Sequence, residues 1–565
     1  MRRLFDEHIL RKTVSLDGFW NFKTDEKDIG KEEKWFKGLE NSVIASVPSV
    51  WNIESGLLSY EGVAWYQKKV HLEKGTAKLC FDAVLTEADV WFDNDYLGYH
   101  YGGFSEFGFI INNIEEGYHT VTVRVRNIFD KQSIPQEKVD WYHYGGITRS
   151  VRIEYLKGIS ILSNRFKYTL NDDLTKANCY FEAEIYNAED KEISDKIEFY
   201  LGNKKVYSEN ITLKPFETKT ILSKEFFEEN IRLWDEGKPE LYDIKVLSSC
   251  DDLLDRTGFR KIEVKNSKIF LNGREIELRG VNRHEEHPEF GFAFPQSLMK
   301  RDIDIILDLG CNTIRGSHYP NSKAFVDMLD SYGILFWSEI PIWGGGFSQE
   351  ALGDDVVVNR GLEMHREMLE FYYNHPSIII WGMHNEILTA TDEALQMTKK
   401  YYSFLKENGG NRIVTYATDK PMDDICLEYC DVISINQYFG WYYGDKHSWD
   451  EFLVDFEERR EKLGLSDIPV IMSEFGCAAI YGEHTFDNIH WTEEYQAELL
   501  SYCVNAFHNH PMMAGFYIWQ YCDMRTCLQA GLNRARGFNN KGIVNEYRKP
   551  KAAYFAIKKD YNSFK

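Results

Sequence analysis

Ser377-Ile378-Ile379-Ile380-Trp381-Gly382-Met383-His384-Asn385-Glu386 is the stretch from which the rest of the chain can be read. Three consecutive isoleucines and a tryptophan, with no carboxylate before the last residue, describe a buried β-strand. It closes on Asn-Glu. A carboxylate at the carboxyl end of a buried strand is poorly placed for stability, but in a (β/α)₈ barrel that end faces the active site. The alternative is a glutamate that only begins the following loop.

A second stretch has the same form. Pro469-Val470-Ile471-Met472-Ser473-Glu474-Phe475-Gly476 is an apolar run that closes on a glutamate. Two strand-end carboxylates on one barrel can face each other across a sugar. In retaining glycosidases such a pair stands about 5–5.5 Å apart, one acting as nucleophile and the other as general acid, then base.

Working outward, 565 residues suggest three or four domains, and 43% hydrophobic with 15% aromatic content excludes a disordered chain. A net charge of −23 argues against a nucleic-acid partner, and an anionic substrate would need a local cation. The ten cysteines form no CxxC and no Cys/His cluster with zinc spacing, which suggests reduced, mostly buried thiols and no metal. The N-terminal Met1-Arg2-Arg3-Leu4-Phe5-Asp6-Glu7-His8 breaks with acids where a secretory apolar core would begin. No run of about 18 apolar residues occurs. A cytoplasmic protein without membrane contact is expected.

Residues 1–160 show short strands separated by Gly and Asn turns. Val121-Thr122-Val123-Arg124-Val125-Arg126 alternates as a half-solvated antiparallel strand would. A jelly-roll sugar-binding-like domain is expected there. Residues 161–263 form a smaller block, with Phe181-Glu182-Ala183-Glu184-Ile185 alternating and 241–247 closing it. That size suits an immunoglobulin-like β-sandwich. From 264 to 565, apolar runs alternate with helical patterns (298–309, 359–373, 392–407 and 493–507), predicting a C-terminal catalytic TIM barrel. The eight strand candidates are 275–280, 312–317, 334–340, 377–386, 413–417, 432–438, 469–474 and 515–521. Glu386 then ends strand four and Glu474 ends strand seven.

This order of domains, with carboxylates on strands four and seven, resembles glycoside hydrolase family 2 over the whole chain. The local matches are Asn374-His375-Pro376-Ser377 leading to Asn385-Glu386, Ser317-His318-Tyr319-Pro320, and Ser473-Glu474-Phe475-Gly476. Within the family the chain is most similar to bacterial β-glucuronidases. Asn436-Gln437-Tyr438-Phe439-Gly440-Trp441-Tyr442 matches their N-x-Y-x-G-W-Y segment. Asn539-Asn540-Lys541 matches the N-x-K motif that grips a uronic acid carboxylate. Independently of the family, a Lys and an Asn two residues apart at a barrel mouth suit a carboxylate, one as a point charge and the other as a neutral donor.

The resemblance implies a retaining β-glucuronidase, with Glu386 as general acid/base and Glu474 as nucleophile. It needs no cofactor or metal, takes a β-glucuronide, and assembles as a homo-oligomer, tetramer or dimer. Implied substrate contacts are Asp140 from the jelly roll, His318 at strand two, and Asn385 on the sugar 2-hydroxyl. Asn436, Tyr438 and Tyr442 at strand six join them, with Tyr438 orienting Glu474 and Tyr442 reaching the uronate. Trp519 is the floor under the sugar, and Asn539 and Lys541 hold its carboxylate.

Some spellings depart from the pattern. Ser473-Glu474-Phe475-Gly476 stands where T-E-Y-G is usual. The spacing before N-x-K is one residue longer, so the sugar-binding arginine is Arg534 or Arg536, with Arg534 favoured. Asn282-Arg283-His284-Glu285-Glu286-His287-Pro288 and Pro320-Asn321 are spelled more like β-galactosidases. Segment 343–358 is short, which predicts an open aglycone side. The rival readings are a β-galactosidase or β-galacturonidase of the same family, or a carbohydrate-binding protein without turnover.

Overall fold

The computed structural model describes residues 3–344, 346–531 and 534–564. Met1, Arg2, and residue 345 within segment 343–358 lie outside them. Two antiparallel sheets pack face to face in the N-terminal part. One has four strands, in the order Thr13–Ser15, Val151–Leu156, Gly75–Phe81, Phe107–Ile114. The other has six, in the order Val43–Val47, Gly18–Thr24, Val63–Leu72, Gly117–Arg126, Glu87–Phe92, Asp95–Tyr101. Alternate side chains such as Leu79, Phe81, Val90, Val123 and Ile153 fill one core between the sheets.

The strand containing 121–126 corrects the half-solvated expectation. Thr122 and Arg124 are as buried as the valines beside them. Arg124 is neutralised by Asp28 and Asp89, and Thr122 accepts a hydrogen bond from Gln67. The polar face is therefore a buried ion-pair and amide layer, which burial permits only because every charge is matched.

A second two-sheet sandwich follows. Ile159–Leu170 pairs with Lys176–Asn187, which also pairs with Thr218–Leu222 and Phe226–Glu229; the other sheet is Lys204–Leu213, Ile193–Leu201, Tyr242–Leu247, Asp252–Thr257. Phe181, Ala183 and Ile185 are buried, and Glu182 and Glu184 half-buried, as alternation predicts. The block does not close at 241–247, because Asp252–Thr257 pairs outside it.

The remainder is a closed eight-stranded parallel barrel: β1 (Leu278–Asn282), β2 (Thr313–Gly316), β3 (Leu335–Glu339), β4 (Ile378–Asn385), β5 (Ile413–Thr418), β6 (Ile433–Asn436), β7 (Val470–Phe475) and β8 (Met513–Ile518). All eight candidate runs reach the barrel, with one shift. Arg274–Ile276 belongs to a small three-stranded sheet with Ile262–Lys265 and Lys268–Leu271, and the first barrel strand begins at Leu278. Ile269, Leu271 and Ile276 of that sheet pack with Leu335, Trp337, Ile380 and Ile471, plugging the amino end of the barrel. Every residue of β4 is buried, as a parallel strand covered on both faces requires. With one end of the barrel closed by apolar packing, polar chemistry is left to the carboxyl ends. We propose the domain bounds 1–160, 161–263 and 264–565 for these three parts.

Candidate active site

β4 ends at Asn385, and Glu386 is the next residue, with φ 52°. That left-handed conformation is unfavourable for a residue with a Cβ. It is held from the next strand, where Ala417 O accepts the Glu386 N–H at 2.8 Å. Glu474 lies inside β7 and pairs in register with Asn436, the last residue of β6. The two carboxylates thus emerge from strands four and seven, and one chain of hydrogen bonds joins them. Arg315 Nη1 donates to Glu474 Oε1 at 2.9 Å, and its Nη2 donates to Asn385 Oδ1 at 2.8 Å. Asn436 Nδ2 donates to the same Asn385 oxygen at 3.1 Å and to Glu386 Oε1 at 2.7 Å. Ser473 Oγ donates to Asn436 Oδ1 at 2.7 Å, which fixes the amide's orientation.

The two carboxyl groups have unlike surroundings. Burial pushes the Glu474 carboxyl up, but the Arg315 guanidinium, His318 and the Tyr438 hydroxyl, which donates to Oε2 at 2.7 Å, oppose it. Burial also pushes up Glu386, and there the charges of Glu474 and Asp419 add to the effect; its pKa lies well above the ordinary carboxylate range. Both carboxyls are thus raised, but their surroundings favour the proton on Glu386 over Glu474.

Arg315 is itself wholly buried, and burial opposes its charge. Glu339 and Glu474 outweigh that and raise its pKa. It chelates Glu339 through Nε and Nη2 at 2.9 and 3.0 Å. His318 Nδ1 is 2.6 Å from Glu339 Oε1, and its ring stacks on Trp519 with centroids 5.2 Å apart. Trp519 lies just past β8 and is 2% exposed. Two buried polar atoms beside the carboxylates, His318 Nε2 and Asn385 Nδ2, have no hydrogen-bond partner among the described residues.

A second cluster lies beside the first. Lys541 is 1% exposed; its Nζ donates to Tyr442 Oη at 2.7 Å and lies 4.7, 5.5 and 5.8 Å from the ring centroids of Tyr442, Tyr438 and Trp441. Among the described residues no carboxylate forms an ion pair with it. Asn539 Oδ1 accepts the Lys541 backbone N–H at 3.2 Å, while its Nδ2 donates to Asp140 Oδ2 at 2.5 Å. Arg534 Nη2 donates to Asp140 Oδ1 at 2.9 Å, whereas Arg536 turns away to Glu546. Of the two arginines left open by the spacing, Arg534 is the one in the cluster. Asp140 comes from the N-terminal sandwich, anchored by its neighbours Val139 and Trp141, which pack with Tyr319 and Trp519. A buried cation without a counter-charge is costly, and an anion arriving beside it would be bound in compensation.

The family model "Glycosyl hydrolases family 2, TIM barrel domain" matches residues 262–565, and "Glycosyl hydrolases family 2, sugar binding domain" matches 54–156. The chain belongs to glycosyl hydrolase family 2. It is 26% identical over 595 residues to a β-glucuronidase of Paenibacillus borealis, covering 96% of each chain. It is similar over 100% of both chains, with a TM-score of 0.93 and 33% identity, to the crystal structure of a β-galacturonidase from Eisenbergiella tayi bound to galacturonate. A β-glucuronidase from Ruminococcus gnavus in complex with D-glucaro-d-lactam matches with a TM-score of 0.87 and 26% identity over 99% of both chains. The protein is a glycoside hydrolase, and the reading of a sugar-binding protein without turnover is set aside.

All twelve site residues expected from the sequence of this family 2 hydrolase fall in the two clusters. Small differences are local. Glu386, His318, Tyr438, Tyr442 and Trp519 lie just beyond their strands rather than on them. Sequence reasoning missed Arg315 and Glu339, although both carried a signal. Arg315 is the one charge in β2, all four residues of which are buried, and Glu339 closes β3 as Glu386 follows β4. It also missed Asn282, which accepts from Arg315 Nη1 at 3.3 Å, and His284, whose ring meets Trp519 edge-on. Away from the site, Asp327, Asp330 and His375 cluster closely enough to hold a cation. Arg3 pairs with Asp327, however, and His375 and the Ser377 N–H occupy Asp330.

Proposed function

We propose that the protein is a retaining β-uronidase that releases a terminal hexuronic acid from a β-glycoside. The observation that carries this reading is Lys541, a buried cation with no carboxylate partner among the described residues, beside a carboxylate pair. In the proposed mechanism, Glu474 attacks the anomeric carbon while Glu386 protonates the departing oxygen. The glycosyl-enzyme removes the negative charge of Glu474. Since that charge helps to hold the pKa of Glu386 up, its loss lowers the pKa and frees Glu386 to take a proton from water. Tyr438 and Arg315 hold Glu474 ionised and oriented. Asn385 Oδ1 is committed to Arg315 and Asn436, so Nδ2 is the donor left for the sugar 2-hydroxyl. Lys541, Asn539 and Tyr442 take the uronate carboxylate, Asp140 and Arg534 the ring hydroxyls, and Trp519 with His318 the sugar face.

Two hexuronic acids fit this description, differing only at C4. The galacturonide is favoured by 33% identity to the β-galacturonidase against 26% to the β-glucuronidases. It is also favoured by the galactosidase-like spelling of the β1 exit, whose His284 reaches the site floor at Trp519. The glucuronide of the sequence reading is the second reading, supported by the N-x-K and N-x-Y-x-G-W-Y segments. Ten cysteines without a disulfide among the described residues support a reducing, cytoplasmic setting, and a homo-oligomer is part of the same proposal. The test compares 4-nitrophenyl β-D-galacturonide, glucuronide and galactoside. Either uronide should exceed the galactoside in kcat/KM by at least tenfold; a galactoside turned over best would end the uronidase reading.

A further inference from the structure

A third carboxylate stands at the barrel mouth. Asp419 follows directly on β5, in a connection to β6 that carries no helix. β5 is the strand that holds Glu386 through Ala417 O, so the exits of β4 and β5 lie side by side. The turn is braced from β6: Gln437 Nε2 donates to the Asp419 carbonyl at 2.8 Å, and Tyr443 Oη donates to Gln437 Oε1 at 2.5 Å. Yet Asp419 Oδ1 is buried with no hydrogen-bond partner among the described residues. Buried carboxylate oxygens are normally satisfied, so this one calls for a donor from outside the chain.

The neighbours of Asp419 indicate which ligand would bring that donor. Its charge acts on Glu386 and on the half-exposed Tyr443. The principal charges on Glu474 are instead Arg315, His318 and Glu339. Asp419 therefore stands by Glu386, where the adjoining exits of β4 and β5 place it. In a retaining glycosidase the acid protonates the departing oxygen, so a group on that side faces the leaving group. A carboxylate there repels an anionic leaving group, and an apolar one leaves Oδ1 unpaired. A neutral, hydroxyl-bearing leaving group satisfies it.

Resting on the assignment of Glu386 as the acid, we propose that Asp419 recognises the leaving group by accepting a hydrogen bond from its hydroxyl, so that the substrate is a uronosyl oligosaccharide whose next residue is a neutral sugar. The test measures kcat/KM for wild type, Asp419→Ala and Asp419→Asn on 4-nitrophenyl β-uronides and on β-uronosyl disaccharides with a neutral second sugar. Asp419→Ala should lose at least ten times more on the disaccharide than on the aryl glycoside. Asp419→Asn, which keeps an acceptor oxygen, should recover most of that difference. Glu386 is faced by Glu474 from β7, Arg315 from β2, Asn436 from β6, Tyr438 and Tyr443 beyond β6, and Asp419 beyond β5. Removing the charge of Asp419 should therefore move the alkaline limb of both variants to lower pH, a readout that a purely structural role would not shift. Equal losses on both substrates, or a wild type that turns over the aryl glycoside and no disaccharide, would overturn the proposal. A wild type inactive on every uronide would instead defeat the uronidase reading, and the same comparison on whichever aryl β-glycoside is cleaved would still judge Asp419.

Discussion

Glu474 accepts hydrogen bonds from a guanidinium and a phenol, whereas Glu386 accepts one from the neutral amide of Asn436 and faces two further carboxylates. Glu474 is buried and Glu386 half-buried, and desolvation raises both, so burial alone would leave them alike. What separates them is where Arg315 points. The barrel aims this buried guanidinium at Glu474 and Glu339 and leaves Glu386 to the neutral amide of Asn436. The same desolvation raises both carboxyls, but at Glu386 two carboxylates add to it, while at Glu474 Arg315, His318 and Tyr438 oppose it.

The largest expected effect comes from the anionic half. Glu474→Gln should lower kcat on any cleaved glycoside by about 10⁴ or more, roughly 5 kcal/mol of transition-state stabilisation, while substrate still binds. A variant within a hundredfold of wild type would remove Glu474 as nucleophile. Next comes the cation outside the pair. Lys541→Ala should cost about 10² in kcat/KM on the uronide, near 3 kcal/mol for a lost charge-assisted contact, and far less on the galactoside. Equal losses would strip Lys541 of its role in recognition.

Tyr438→Phe sharpens the comparison at Glu474 alone. It removes a hydrogen bond that lowers that pKa, so the acidic limb of kcat/KM should move to higher pH, with a loss of about tenfold. An unmoved limb would mean that Tyr438 does not act through Glu474. The smallest effect is one of stability. The folded-state pKa of Glu386 is raised, so its stabilising contribution is complete below the unfolded value of about 4.3 and is lost as pH rises through the folded value. Glu386→Gln avoids that loss. Its melting temperature should match wild type below about pH 4 and exceed it increasingly as pH rises to the folded pKa, each unit of the shift being worth about 1.4 kcal/mol. A constant difference across pH would contradict a raised Glu386.

The comparison also marks what sequence can carry. β4 and β7 were legible because a parallel strand covered on both faces must be apolar throughout, which leaves a terminal carboxylate conspicuous. Leu335-Phe336-Trp337-Ser338-Glu339 has the same form, yet its glutamate is held by two hydrogen bonds from Arg315 and lies 2.6 Å from His318 Nδ1. Nothing local distinguishes the two, because the difference lies in a residue from the neighbouring strand. Arg124 makes the same point in the first sandwich, where alternation suggested solvent and Asp28 and Asp89 made burial possible. Arg534 was favoured over Arg536 in the sequence, but the two are told apart by the three-dimensional position of Asp140, 394 residues before Arg534 in the chain.

The account depends most on which carboxylate becomes covalently glycosylated. Incubation with a 2-deoxy-2-fluoro-β-uronosyl fluoride, followed by mass spectrometry of proteolytic peptides, reads this directly. The label should lie on Glu474, in the peptide containing Ser473-Glu474-Phe475. A label on Glu386, or no adduct with an enzyme that turns over aryl uronides, would contradict the assignment of the two acids.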